Sequence, residues 1–150
     1  IRMLINALGL QQKYEHWLSE LVRINHEEAD RANRPPLPLW DFSDVNVVTT
    51  EPIPAAVDLT PMKWFWEVSH YREATGDLIL NRILGESEKV APEYMNFGVP
   101  LDARNIQTHL QQSRQAMADW KNENPALFEI VENAKSIASR KSDQRAMVCE

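Results

Sequence analysis

Residues 64–80 read WFWEVSHYREATGDLIL, and the element formed by this stretch decides the fold. From Ser69 or His70 onward, Ala74, Leu78, Ile79 and Ile83 recur at helical spacing. Gly85 follows where a helix C-terminus needs a residue able to turn left-handed. The aromatic run Trp64, Phe65 and Trp66 is expected to anchor the approach to this helix. Gly76 inside it costs about 1 kcal/mol relative to Ala, which predicts a close packing contact there. Glu67 and His70, three residues apart, stand at the mouth of the helix.

Outward from this segment the pattern stays mostly helical. Upstream, Tyr14, Trp17, Leu18, Leu21, Val22 and Ile24 predict an amphipathic helix over 11–33, ended by the Pro35–Pro36 pair. The stretch PLPLWDFS is short, apolar and bounded by turn residues, and reads as a buried strand ending near Asp41. Residues 44–62 carry Pro52, Pro54 and Pro61 with no helical period, so they predict a long, proline-pinned loop. Downstream, 86–100 reads as an irregular linker. Ile106, Leu110, Ser113, Met117 and Trp120 then give a helix with Asp102 as its N-cap. Asn124–Pro125 opens another along Leu127, Ile130, Val131, Ala134 and Ile137, and the polar 141–150 end is expected to fray. Four helical segments against one clear strand predict a predominantly α-helical chain with one or two short strands.

Composition narrows the partners. The 150 residues suffice for one domain with a real core, and 43% hydrophobic with 25% charged residues is ordinary for a globular chain. A net charge of -6 and the lack of a basic stripe argue against nucleic acid, whose phosphates demand clustered Lys and Arg. The single cysteine, Cys149, leaves no internal disulfide and no cysteine-based metal site. The N-terminus turns polar within about ten residues, too soon for a signal-peptide core or a membrane span. An initial Ile already in helical pattern suggests a fragment or processed chain whose start lies upstream.

A histidine acting as general base presents one ring nitrogen to its nucleophile while an acceptor holds the other and fixes the tautomer. Glu67 is spaced to be that acceptor for His70, with the imidazole projecting towards a cleft. On spacing alone a surface ion pair at a helix start is the commoner account of E-x-x-H. Nucleophile candidates are poor: Ser43 reads as a turn cap, Ser69 adjoins His70 without facing its ring, and Cys149 lies in the tail. The His26–Asp30 segment lacks a second histidine at i+4 and reads as solvated helix charge. His109 is expected to be a partly exposed helix residue. Trp40, Trp64, Trp66 and Trp120 could stack on a sugar, although large aromatics are more often core.

The run PLWDFSDVNVVTTEPIPAAVDLTPMKWFWEVSHYREATGDLILNRILG, followed by NFGVPLDARNIQTHL, resembles the C-terminal portion of a bacterial group of SGNH/GDSL-like proteins. These include esterase and acyltransferase members associated with cell-envelope polysaccharides. The resemblance covers about residues 10–115 and is most specific at WDFS, TTEP and WEVSHY with its following GD. It implies an α/β, three-layer ancestry, with residues 1–85 as the C-terminal part of the SGNH-like domain and 86–150 as linker and helical extension. It further implies that Glu67-Val68-Ser69-His70 occupies the place of the family's Asp-x-x-His block, with His70 and Glu67 catalytic. The expected function is a serine-dependent esterase or O-acyltransferase acting on carbohydrate or other ester substrates, extracytoplasmic, with no metal or organic cofactor.

Two departures stand out. Glu67 replaces the family's Asp, and no Gly-Asp-Ser-like nucleophile turn precedes residue 40. The serine is therefore expected from an upstream part of the same polypeptide or from a partner protein. The alternative is a non-catalytic helical protein-interaction module in which Glu67 and His70 are structural.

Overall fold

The apolar stripe of the first long segment sets the architecture. The structure, a computed structural model, describes residues 2–54, 60–67 and 70–129. A short helix α1 (Arg2–Ala7) leads into α2 (Gln11–Arg31), which buries Leu18, Val22 and Ala29 on one face. The stop of α2 comes before the prolines predicted to cause it. Asn33 takes a left-handed conformation with φ of 47°, Asn33 N–H donates to Asp30 O at 3.1 Å, and Arg34 N–H donates to Ala29 O at 3.0 Å. That pair of reverse bonds satisfies the last carbonyls and turns the chain.

The expected strand is only two residues long, β1 (Trp40–Asp41). Its antiparallel partner, β2 (Val99–Pro100), lies inside the segment read as irregular linker, with Trp40 opposite Pro100 and Asp41 opposite Val99. Helix α3 (Glu73–Leu84) begins three residues after His70 rather than at it, and ends on left-handed Gly85, with φ of 76°, as the sequence predicts. Helix α4 (Ile106–Glu123) starts after a turn in which Asp102 Oδ1 accepts the N–H groups of Arg104, 2.8 Å, and Asn105, 3.0 Å, so Asp102 caps the turn before the helix. Residues 125–129 are helical as predicted, whereas Ile130, Val131, Ala134, Ile137 and Cys149 lie outside the described residues.

Two apolar clusters flank the β1/β2 ribbon. Leu18 and Val22 of α2 pack against Leu101, Ile106 and Leu110, with Tyr14, Leu39 and Val99 around them. On the other side Val48, Trp64, Leu78, Val90 and Phe97 pack with Phe42, Phe65, Ile79 and Tyr94. Each such aliphatic or aromatic side chain stabilises the fold by about 1.5–3 kcal/mol when taken from water. Both clusters draw on residues from either side of position 85, so the ribbon and α4 are packed into the same body as α2 and α3.

The close approach expected at Gly76 occurs instead at Gly98. A Cβ at Gly76 would meet only Tyr71 Cε2 at 3.6 Å, an ordinary contact, whereas one at Gly98, where φ is +83°, would fall inside the Phe42 ring. The 44–51 loop is held by polar side chains before its first proline. Asn46 Oδ1 accepts from the N–H of Val48, 2.9 Å, and of Thr49, 3.1 Å, which tucks Val48 fully into the core. Glu51 then reaches across to accept the backbone N–H groups of Lys63 and Trp64, the latter at 2.9 Å.

Candidate functional site

A short antiparallel bridge between Phe65 and Tyr71 creates the Glu67–His70 geometry. Trp66 N–H donates to His70 O and Arg72 N–H donates to Trp64 O, both at 2.8 Å, so 64–66 and 70–72 run antiparallel beside each other. Thr75 Oγ1 donates to Trp64 O at 2.6 Å and Arg72 Nη1 to Met62 O at 2.8 Å, tying this turn to the start of α3. In that setting Glu67 Oε1 contacts His70 Nδ1. A carboxylate can only accept, so Nδ1 carries the hydrogen and the neutral ring keeps its lone pair on Nε2.

The pair sits in the open. The His70 side chain is 79% exposed and that of Glu67 48%. The aromatic anchor expected to bury it divides in two: Trp64 is 7% exposed and belongs to the core, while Trp66 is 66% exposed, with the Arg72 guanidinium 3.9 Å above its ring. Of the other tryptophans, Trp40 stacks on Phe42, centroids 5.7 Å apart, and Trp120 lines the cavity described below.

A second histidine, His109, departs from expectation. It is buried, 4% exposed, and its Nε2 lies 3.0 Å from Asp41 Oδ2, whose side chain is 2% exposed. Asp41 Oδ1 accepts from Ser43 N–H at 2.8 Å and Ser43 Oγ–H at 2.7 Å, and the Ser43 hydroxyl is also 2.7 Å from Tyr14 OH. Burial by itself pushes the Asp41 carboxyl up. The hydrogen bonds from His109 and Ser43 and the nearby Arg2 charge outweigh it and hold the group below the ordinary carboxylate value. Burial pushes the Tyr14 phenol up, against the opposing bond to Ser43. Ser43 is therefore committed to a turn around Asp41, as the sequence predicts, and its hydroxyl points at a carboxylate rather than an imidazole.

Arg2 closes the far side of this network. It is 4% exposed, donates from Nη2 to Ser113 Oγ, and lies 4.5 Å over the Tyr14 ring, while Ser113 Oγ donates to Asp44 Oδ1 at 2.7 Å. Sequence reading passed over Arg2 and placed His109 on a partly exposed helix position, whereas it is buried. The signal for His109 was present: it falls on the same face as Ile106, Leu110, Ser113 and Met117, all of which are buried.

Between these groups opens a cavity of about 420 Å³. Its walls come from α1, β1, the 44–53 loop, Met62, Phe65, Glu67 and Tyr71, α3 and α4, so Glu67 lines it while His70 is not part of its walls. Among the described residues, no group of three or more His, Cys, Asp or Glu is placed to hold a metal ion, and no helix is long and apolar enough to cross a membrane. Ser69 and Cys149 lie outside the described residues. Comparison with protein-family models, curated proteins and solved structures yields no match.

Proposed function

We propose that this chain supplies the base half of a serine-dependent, SGNH-like acyl-transfer centre acting on carbohydrate or other esters. His70 is the general base and acid, Glu67 its orienting carboxylate, and the serine comes from an upstream part of the polypeptide or from a partner protein. The observation that carries this reading is the contact of His70 Nδ1, on an exposed ring, with Oε1 of Glu67, a residue that lines the cavity. His70 Nε2 would take the proton of the serine hydroxyl as it attacks the ester carbonyl, then return it to the departing alcohol oxygen. Water or a sugar hydroxyl would attack the acyl-enzyme next, giving its proton to Nε2, which passes it to the serine oxygen as the acyl–oxygen bond breaks. His109 makes a poor rival base, because it is buried and its Nε2 is engaged with the Asp41 carboxylate.

The test is fluorophosphonate labelling and ester hydrolysis by a longer polypeptide that includes the upstream coding sequence. His70→Gln should slow both by a factor of about 10²–10⁴, the usual worth of a general base. Glu67→Gln should slow them less. Labelling that ignores His70→Gln would overturn the assignment. The second reading, a helical interaction module, draws support from Leu80 and Leu84 of α3, which are 55% and 69% exposed and leave an apolar stripe on the surface. A longer polypeptide that never reacts with the probe would favour it.

A further inference from the structure

The largest feature that the Glu67–His70 reading leaves unexplained is the chemistry of the cavity walls. Most of the lining is hydrocarbon or aromatic: Met62 and Phe65 from the turn, Ile79 from α3, Phe97 before β2, and Met117 and Trp120 from α4. Its size falls near the lower part of the range of small-ligand clefts, about 300–1,000 Å³. The cavity opens to solvent, so its apolar walls lack the close contacts that a packed core gives them. An apolar ligand restores them.

The charged groups on the walls are unbalanced. Among the described residues, Asp41, Asp44, Glu51 and Glu67 line the cavity against a single cation, Arg2. Asp41 is held ionised by its partners, as described above. Arg2 has no exposed face to offer an anion. Its Nη2 is bound to Ser113, its plane lies over Tyr14, and its Nε and Nη1 are buried with no hydrogen-bond partner. A ligand carrying a free carboxylate or phosphate would therefore enter a field of like charge.

From these two observations we infer that the cavity binds a neutral, linear alkyl chain, with its polar end at the Glu67 rim, and that it selects such chains as esters or alcohols over free carboxylates. A chain methylene needs about the room of a water, roughly 30 Å³, so eight to ten carbons or so fit with space for the head group. The placement of the head group rests on the proposed role of Glu67 and His70, and the apolar pocket itself does not. In that setting the walls distinguish substrate from product. An ester enters uncharged, and the carboxylate released by hydrolysis is repelled by Asp44, Glu51 and Glu67.

Titration calorimetry of this chain with hexanol, octanol, decanol and decanoate, each below its aggregation threshold at pH 8, tests the pocket without any catalysis. Binding should tighten about fourfold per added methylene up to roughly ten carbons. Decanoate should bind at least about tenfold more weakly than decanol. Ile53→Trp and Met62→Trp, at positions that line the cavity but are not fully buried, should each abolish decanol binding while the chain still melts cooperatively. Affinity that does not depend on chain length, decanoate binding as tightly as decanol, or both filled variants binding like the parent would overturn the inference. Alkyl binding as predicted, beside hydrolysis in the longer polypeptide that ignores His70→Gln, would remove the catalytic reading and leave the pocket. Hydrolysis that depends on His70, without alkyl binding here, would do the reverse.

Discussion

Replacing His109 by Ala attacks a buried contact between an imidazole and a carboxylate. The substitution removes a hydrogen bond to an ionised carboxylate, worth about 1.5–3 kcal/mol, and leaves Asp41 Oδ2 without its partner in a site 2% exposed. The missing imidazole adds a cavity beside Leu110 and Ser113, at a cost of about 1 kcal/mol or more. Together these give a loss of about 3–5 kcal/mol, the usual penalty for breaking a buried pair from one side. Urea unfolding followed by tryptophan fluorescence should register it as a midpoint lowered by about 2 M, for a slope in the ordinary range. The effect should also depend on pH. The folded-state value of Asp41 lies below its unfolded value, so its stabilisation is complete above the unfolded value near 4 and is lost as pH falls through the folded one. The gap between parent and variant should therefore be widest at pH 7 and narrow below about pH 4. Adding Asp41→Asn to His109→Ala should cost at least about 1 kcal/mol less than the two single changes summed. A loss under about 1 kcal/mol, or one that does not shrink as pH falls well below 4, would show that the pair is not the buried, ionised contact described.

Trp64→Ala should cost about 3–5 kcal/mol through the cavity left among Val48, Leu78 and Phe97, whereas Trp66→Ala should stay within about 1 kcal/mol, both read from thermal melts. Gly98→Ala should destabilise by more than about 2 kcal/mol, because a left-handed backbone and the Phe42 ring both resist a Cβ; a melt within a degree of the parent would contradict this. This chain alone should turn over no small activated ester, since a base without a nucleophile and oxyanion donors forms no acyl-enzyme, and turnover abolished by His70→Ala would expose a missed nucleophile.

The helices were legible because each carries its own periodicity. Leu18 and Val22 announce α2, Leu78 with Gly85 announces α3, and Ile106, Leu110 and Met117 announce α4. A two-residue strand such as Val99–Pro100 has no period to read, and its pairing with Trp40–Asp41 depends on contacts remote in sequence. The candidate site divides along the same line. Glu67 and His70 are three residues apart and their contact follows from a local turn. His109 finds Asp41 only when α4 packs across the ribbon, and Arg2 finds Ser113 from the opposite end of the described chain. Exposure misled the reading of Trp66 because an aromatic run has no alternation to say which ring faces inward.

The two-pronged grip of Glu51 on the backbone of Lys63 and Trp64 separates the length of the intervening sequence from the geometry of its ends. Once those ends are pinned, doubling the stretch between them adds only about 0.6 kcal/mol of closure entropy. Foreign peptides or affinity tags spliced after Pro54 should accordingly leave the Trp64 core and the Glu67–His70 turn in register. A Glu51→Ala background, in which the grip is gone, should make the same splices progressively harmful as they lengthen.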